Sequence, residues 1–318
     1  MALGVSALAS SPLLSVVVPV YGCVDSLPEL VQRVVAATVE AGWAVEVVLV
    51  DDCSPDDSWS TIESLVSSRS EVVGIRLSRN FGQHAAITAG LATCNGQKVV
   101  VVDCDLQDPP ELIPEMLGLA VEYDVVLGRR QGNYQSRPRL LLARLYYRLI
   151  SIISGTQFDP AIGTFSLVDR KVVDAFLKLG EHDRHFIFAI HWLGFKQTTI
   201  DFRRQSRSVG ASSYTFRRRL SHAMHGIMFQ NTRFLNLVVF TGFTTATLGS
   251  GLGAYTIFRR ITASALPGWT STVSLLLFTF GTLVTIQGVI GLYIGRIFQE
   301  VKGRPLYLID HVLPTPKP

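Results

Sequence analysis

The sequence predicts an α/β domain built on a doubly wound, mostly parallel sheet, followed by amphipathic helices and two membrane-spanning helices. Two observations carry this. Short β-branched runs alternate with helical patterns over the first 130 residues, the signature of strands joined by crossover helices. Two uncharged apolar runs, 235–258 and 273–295, then occupy the C-terminal third, each long enough to cross a bilayer.

The elements follow in order. LLSVVVPVYG (13–22) is apolar, β-branched and punctuated by Pro and Gly, as a buried parallel strand is. Pro28 to Ala41 has helical spacing and stops near Gly42. AVEVVLVDDCS is a second strand that runs into acidic residues, Ser58 to Ser67 a helix, and VVGIRLS a third strand. HAAITAGLATCNG is a helix stopped by Asn95-Gly96, and KVVVVDCD a fourth strand. Pro110 to Val121 is a helix with Pro in its first turn, and YDVVLGRR a fifth strand.

With 318 residues, 48% of them hydrophobic, and a positive mean hydropathy, the chain is rich in apolar residues for a protein wholly in water. Residues 137–154 interleave Arg139, Arg144 and Arg148 with Leu, Tyr and Ile. That pattern reads equally as a core-facing helix with a solvated face or as a helix lying on a membrane. Residues 216–233, with Arg217, Arg218 and Arg219, lead directly into the first apolar run, which favours the membrane surface. Positive charge flanks the hairpin (Arg217–Arg219, Arg233, Arg296, Lys302, Arg304) more heavily than it fills the loop, where Arg259 and Arg260 stand. Both termini are therefore expected in the cytoplasm. The organisation read from this is a cytoplasmic catalytic domain over 1–215, an interfacial helix over 216–234, spanning helices over 235–258 and 273–295, and a cytoplasmic tail over 296–318. The N-terminus lacks a basic leader and its apolar run is broken by Pro12 and Pro19, so no signal peptide is expected. Cys23, Cys53, Cys94 and Cys104 show neither zinc-ligand spacing nor a dense disulfide pattern, which reads as a reducing compartment. The net charge of +4 is modest, and its concentration in Arg203, Arg204, Arg207 and Arg217–Arg219 suits a pyrophosphate or bilayer surface; no nucleic-acid partner is expected.

In sheets of this kind ligands bind beyond the carboxyl ends of the strands. Asp51, Asp52, Asp103, Asp105, Arg129 and Arg130 all fall at such ends. Asp103 and Asp105 matter most, because an apolar strand running straight into two carboxylates needs a cation to offset buried charge. Their oxygens, with the Gln107 amide, are hard ligands suited to Mg²⁺ or Mn²⁺, which take one or two protein carboxylates and fill their shell with substrate phosphates. A bare Asp-x-Asp is also a common solvated loop. Its place after the strand and before LQDPPE lifts it above that.

The segments VVVPVYG (16–22), VLVDDCSPDDS (48–58), LSRNFGQHAAITAGL (77–91), VVDCDLQDPPELIPEM (101–116), YDVVLGRR (123–130), SSYTFRRRL (212–220) and GLYIGRIFQEVKGRPLY (291–307) together resemble family 2 glycosyltransferases. The likeness is to the branch that charges polyprenyl phosphates such as undecaprenyl or dolichyl phosphate and carries a C-terminal transmembrane hairpin. The resemblance implies a GT-A-type sheet and an inverting transfer of one sugar from a nucleotide diphosphate sugar to a polyprenyl phosphate at the cytoplasmic face of the cell membrane. It implies that Pro19, Tyr21, Asp51, Asp52, Asp103, Arg129, Arg130 and Arg207 bind the nucleotide sugar. It further implies that Asp103, Asp105 and Gln107 hold the metal, and that Asp103, Asp105 and Arg130 are catalytic. Arg137, Arg139 and Thr164 are the candidates to face the acceptor phosphate.

Three positions depart from the family's pattern. Gly22-Cys23 stand where an acidic residue is usual, Ser212-Ser213 where the loop after Arg207 often has a lysine, and Gly163-Thr164-Phe165 where Gly-Asp-Phe is frequent. The last bears on mechanism. A sugar hydroxyl needs a positioned base, whereas a phosphate monoester is largely a dianion at neutral pH, so Thr164 suits a lipid-phosphate acceptor. A hydroxyl acceptor such as a growing polysaccharide requires another carboxylate, with Asp159 and Asp183 as candidates. A non-enzymatic membrane scaffold on the same fold is the remaining alternative. Gly249–Gly253 allows close helix packing, so self-association joins the expected partners.

Overall fold

The computed structural model describes residues 13–131, 161–181, 184–203 and 269–314, with residues 159, 244, 247 and 258 singly. Residues 1–134, 159–211 and 305–318 form one unit, and 135–158 with 212–304 a second.

Among the described residues the first unit holds a mixed eight-stranded sheet: β1 (Leu13–Val20), β2 (Ala44–Asp51), β3 (Val72–Leu77), β4 (Lys98–Val101), β5 (Val125–Gln131), β6 (Ile162–Asp169), β7 (Gln197–Arg203) and β8 (Ile309–Leu313). Their spatial order is β7-β5-β6-β4-β1-β2-β3-β8. β3, β2, β1 and β4 are mutually parallel, and β7 is parallel to β5, while β6 runs against both β4 and β5 and β8 runs against β3. The five predicted strands are present, each ending within a few residues of its expected place. β6, β7 and β8 are elements the sequence reading did not recognise.

The helices are α1 (Leu27–Glu40), α2 (Ser58–Ser68), α3 (Gln83–Thr93), α4 (Ile113–Leu119, preceded by a 3₁₀ turn over Pro110–Leu112), α5 (Arg170–Leu177) and α6 (Phe186–Leu193). Their apolar residues cover the two faces of the sheet as separate cores. α3 shows why the sequence folds this way. Ala85 to Leu91 are all buried, as expected of a helix that is apolar on every side. A Cβ on Gly90 would stand 2.3 Å from Val17 Cγ1, so only glycine lets α3 lie this close to β1. Pro19 is tolerated inside β1 because the last β1–β4 pair is Val17 with Val101, so its missing N–H costs no ladder bond on that side.

The second unit contains α7 (Trp269–Val301), 33 residues long and about 50 Å end to end at 1.5 Å per residue. Among the described residues it is the one helix long and apolar enough to cross a membrane, and its Phe278–Gly295 stretch is wholly unburied. It contains the expected 273–295 span and continues six residues further. The expected span 235–258 and the amphipathic stretches 137–154 and 216–233 lie outside the described residues, apart from isolated positions. Residues 296–318 correct the expectation of a tail: the helix continues to Val301, and Ile309–Leu313 returns as β8, pairing antiparallel with β3 from Gly74 to Leu77.

Candidate active site

The site assembles at one edge of the sheet because β1, β2, β4 and β5 all end there and the antiparallel β6 begins there. Continuing the β4–β6 register, in which Val101 faces Ser166, sets Asp103 opposite Thr164. The Thr164 hydroxyl donates to Asp103 Oδ1 at 2.8 Å, and Gln83 Nε2, on the first residue of α3, donates to the same oxygen at 2.7 Å. One face of the carboxylate is thereby fixed by donors from two elements.

Arg130 reaches the same place through a register shift in the β5–β6 ladder between Leu127 and Arg129. Its Nη2 lies 3.9 Å from Asp103 Oδ2 and 3.6 Å from Oδ1 of Asp108, which is fully buried. The guanidinium occupies the space above Gly163: a Cβ there would stand 2.5 Å from Nη2 and 2.7 Å from Cζ. Irregular pairing in a strand re-aims a side chain at a site, and here it aims a permanent positive charge between two carboxylates.

Asp105 is held by its own turn. Leu106 adopts φ +59°, a left-handed conformation that a branched residue rarely takes. The Gln107 backbone N–H then folds back to donate to Asp105 Oδ1 at 3.2 Å. Gln107 itself is 8% exposed, whereas Asp103 and Asp105 are half-buried at the surface. Two accessible carboxylates ending an apolar strand fit a hard cation that draws most of its ligands from water and substrate phosphates. Among the described residues no cluster of three or more His, Cys, Asp or Glu side chains is placed to enclose a metal without such help.

Asp51 and Asp52 are buried and turned into the protein. Asp51 Oδ1 accepts from the Ser54 N–H at 3.0 Å, and its other oxygen is 3.6 Å from Arg76 Nε. Asp52 accepts from the N–H groups of Phe81 and Gly82 at 2.7 and 2.8 Å, at the start of α3. Burial pushes the Asp52 carboxyl above its ordinary value, against the pull of those two N–H donors. The pair therefore shapes the loops that flank the site from one layer below them. Tyr21, by contrast, is 53% exposed at the end of β1, an aromatic face open to a ligand. Arg129, expected beside Arg130, points the other way and forms a two-pronged pair with Asp201 on β7. Arg207, Arg137 and Arg139 lie outside the described residues, as does Asp183. Asp159 is exposed, and its carboxylate accepts from the Ala161 N–H at 2.9 Å.

Sequence reasoning missed Gln83, Gly163 and Asp108. Gln83 stood in the quoted FGQH stretch; only the packing of α3 against β1 and β2, which brings its first residue to Asp103, gives it a role. The cysteines also differ from expectation. Cys23, after the end of β1, and Cys104, between the two metal-type aspartates, form a disulfide across 81 residues. Cys53 is free and half-buried, and Cys94 free and buried.

Residues 15–177 match the family described as Glycosyl transferase family 2. The chain belongs to glycosyl transferase family 2. It is 32% identical over 300 residues to an uncharacterized glycosyltransferase of Synechocystis, covering 93% of this chain and 94% of that one. It is 33% identical over 310 residues to the undecaprenyl-phosphate 4-deoxy-4-formamido-L-arabinose transferase of Klebsiella pneumoniae, covering 95% and 94%. Among solved structures, glucosyl-3-phosphoglycerate synthase from Mycobacterium tuberculosis in complex with Mn²⁺ and UDP-glucose superposes with a TM-score of 0.48 at 18% identity, over 72% of this chain and 80% of that one. This family 2 chain is thus a glycosyltransferase with its sheet, its Asp-x-Asp and its basic strand end in one place.

Proposed function

We propose that this glycosyltransferase moves one sugar from a nucleotide diphosphate sugar to a polyprenyl phosphate, with inversion, at the cytoplasmic face of the membrane. The observation that carries the reading is the use made of Thr164. The family often has a carboxylate at this position. Here a hydroxyl stands instead and donates to Asp103, so the side chain at this position orients a metal-type aspartate and removes no proton. A phosphate acceptor needs none removed. The Klebsiella relative's name gives undecaprenyl phosphate as that protein's acceptor, which agrees.

Asp103 and Asp105 are the residues that would hold Mg²⁺ or Mn²⁺, with Gln107 as the further expected ligand. When bound, such an ion neutralises charge gathering on the departing nucleoside diphosphate. Arg130 adds a fixed positive charge beside it that no change of pH removes. Tyr21 offers its exposed ring to the nucleoside, over loops set by Asp51 and Asp52. Pro19 fixes the end of β1, and Arg207, Arg137 and Arg139 remain proposed phosphate contacts. The acceptor phosphate attacks the anomeric carbon from the face opposite the leaving diphosphate.

The return of the chain as β8 supports a membrane hairpin. Because β8 pairs with β3, residues 309–313 share a compartment with the catalytic sheet. The number of crossings between β7 and β8 is then even. If α7 is one, a second crossing is required, and the uncharged run 235–258 supplies a segment of sufficient length.

Full-length protein in detergent, given undecaprenyl phosphate, Mg²⁺ or Mn²⁺ and a panel of nucleotide sugars, is expected to yield a glycosyl phospholipid visible by mass spectrometry. Asp105→Asn should lower its formation at least about 100-fold with the fold retained. Product lacking a phosphodiester, made with a hydroxyl acceptor, would overturn the reading. Full activity of Asp105→Asn would remove the metal role.

A further inference from the structure

The donor site has two halves. One is the end of β1 with the β2–α2 loop. There the N–H groups of Gly22, Cys23 and Val24 donate to Ser54, Ser58 and Asp56 side chains at 3.2, 3.2 and 3.4 Å. The other is the Asp103–Asp105 turn, held by Gln83, Thr164 and the backbone of Gln107. The halves are linked by Ser26 Oγ, which donates to the Cys104 carbonyl at 2.6 Å, and by the Cys23–Cys104 disulfide. Cys23 replaces the acidic residue usual in the family, and Cys104 sits between the two carboxylates; the fold bonds these two positions to each other.

We propose that Cys23–Cys104 is a reversible redox site that sets how tightly the donor nucleotide is held. The inference rests on the donor reading given above. In a cytoplasm-facing domain, disulfides are commonly transient and redox-sensing. Reduction proceeds by thiolate attack of an external dithiol on Cys23 Sγ, the more accessible partner, with Cys104 leaving as thiolate. The second thiol of the reductant then displaces Cys23. Two electrons and two protons pass to the protein, and the reductant departs as its own disulfide. In the bonded state the nucleoside half and the metal half are clamped at one separation, so less ordering remains to be done when a diphosphate bridges them. In the reduced state the Ser26 bond remains but the covalent clamp is gone. By linkage, nucleotide binding must favour the bonded state by the same factor.

The test uses the full chain in detergent, equilibrated in a series of glutathione redox buffers, quenched, denatured, alkylated and read by peptide mass. The expected result is a reversible passage of Cys23 and Cys104 from cystine to two alkylated thiols. Calorimetry with Mn²⁺ and UDP, GDP or dTDP should show about tenfold tighter binding to the bonded form. The nucleotide should move the thiol–disulfide midpoint reciprocally, by about 30 mV for that tenfold change. Cys23→Ser and Cys104→Ser should each bind like the reduced protein and ignore the buffer. Four alkylated cysteines in every buffer would overturn the proposal and leave the donor reading untouched. Equal affinity in both forms would also overturn it. No nucleotide binding in either form, with the pair still titrating, would overturn the coupling together with the donor reading.

Discussion

Thr164 and Asp103 lie 61 positions apart in the chain, yet the threonine hydroxyl points its proton at the carboxylate across 2.8 Å. The bond explains how a site can lack the family's frequent acidic residue and keep its Asp-x-Asp in order.

Removing only that donor gives the first prediction. Thr164→Val keeps the shape and loses the hydroxyl. Groups that orient a metal ligand from behind are worth roughly 10- to 100-fold in metal affinity, so Mn²⁺-dependent nucleotide binding should weaken by about tenfold. Thr164→Ser should restore most of it. Calorimetry on the three proteins decides, and unchanged binding in the valine variant would remove the orienting role.

Gly163 gives the second. The three atoms nearest an added Cβ all belong to the end of the Arg130 side chain, so Gly163→Ala should displace the guanidinium. Arg130 would then leave Asp103 and Asp108. The melting temperature should fall, because the buried Asp108 carboxylate loses Arg130 as a partner, and kcat/KM should fall about 10- to 100-fold, the scale of an ångström's misplacement at a reacting centre. Arg129→Ala, which breaks a surface pair with Asp201 on the far side, should cost far less activity.

The third concerns pH. Arg33 hydrogen-bonds Glu111 at 2.7 and 2.9 Å, tying α1 to the 3₁₀ turn beyond the Asp-x-Asp, and this holds the Glu111 carboxyl below its ordinary value. A depressed carboxylate contributes stability above its unfolded pKa, near 4.3, and loses it as pH falls through the lower folded value. Arg33→Met should therefore be less stable than wild type at pH 7, by about 1 kcal/mol or less for so exposed a pair. The gap should close in acid. Urea midpoints at the two pH values would show it, and a gap independent of pH would assign the loss to packing.

The fourth concerns β8. Deleting residues 305–318 uncovers the β3 edge and removes the half-buried Tyr307, Val312 and Leu313 that pack along it. The loss should be about 2–4 kcal/mol from apolar area alone, with added aggregation at the bare edge. Protease sites placed before residue 13 and after Pro318 should be cut from the same face of sealed vesicles. Cleavage from opposite faces would contradict β8.

Local pattern carried much of this protein. The first five strands and the first four helices were legible because apolar spacing and Gly or Pro punctuation are properties of neighbouring residues. Asp103, Asp105 and Arg130 were legible because strand ends are where such sheets bind ligands. The roles of Gly163 and Gln83, and the bond by which Thr164 holds Asp103, were not, since they depend on β6 entering the sheet between β4 and β5 and on α3 lying against β1. Nothing in the spacing of IGTFSLVD announces that insertion. Cys23 and Cys104 meet because β1 and β4 are neighbours in space, and residues 309–313 become a strand because β3 has an open edge to pair with. The sequence by itself determined the first five strands, the first four helices and which side chains can hold a cation and a phosphate. Tertiary structure alone decided which of them face one another, because pairing across a sheet joins positions whose separation along the chain carries no information about their distance.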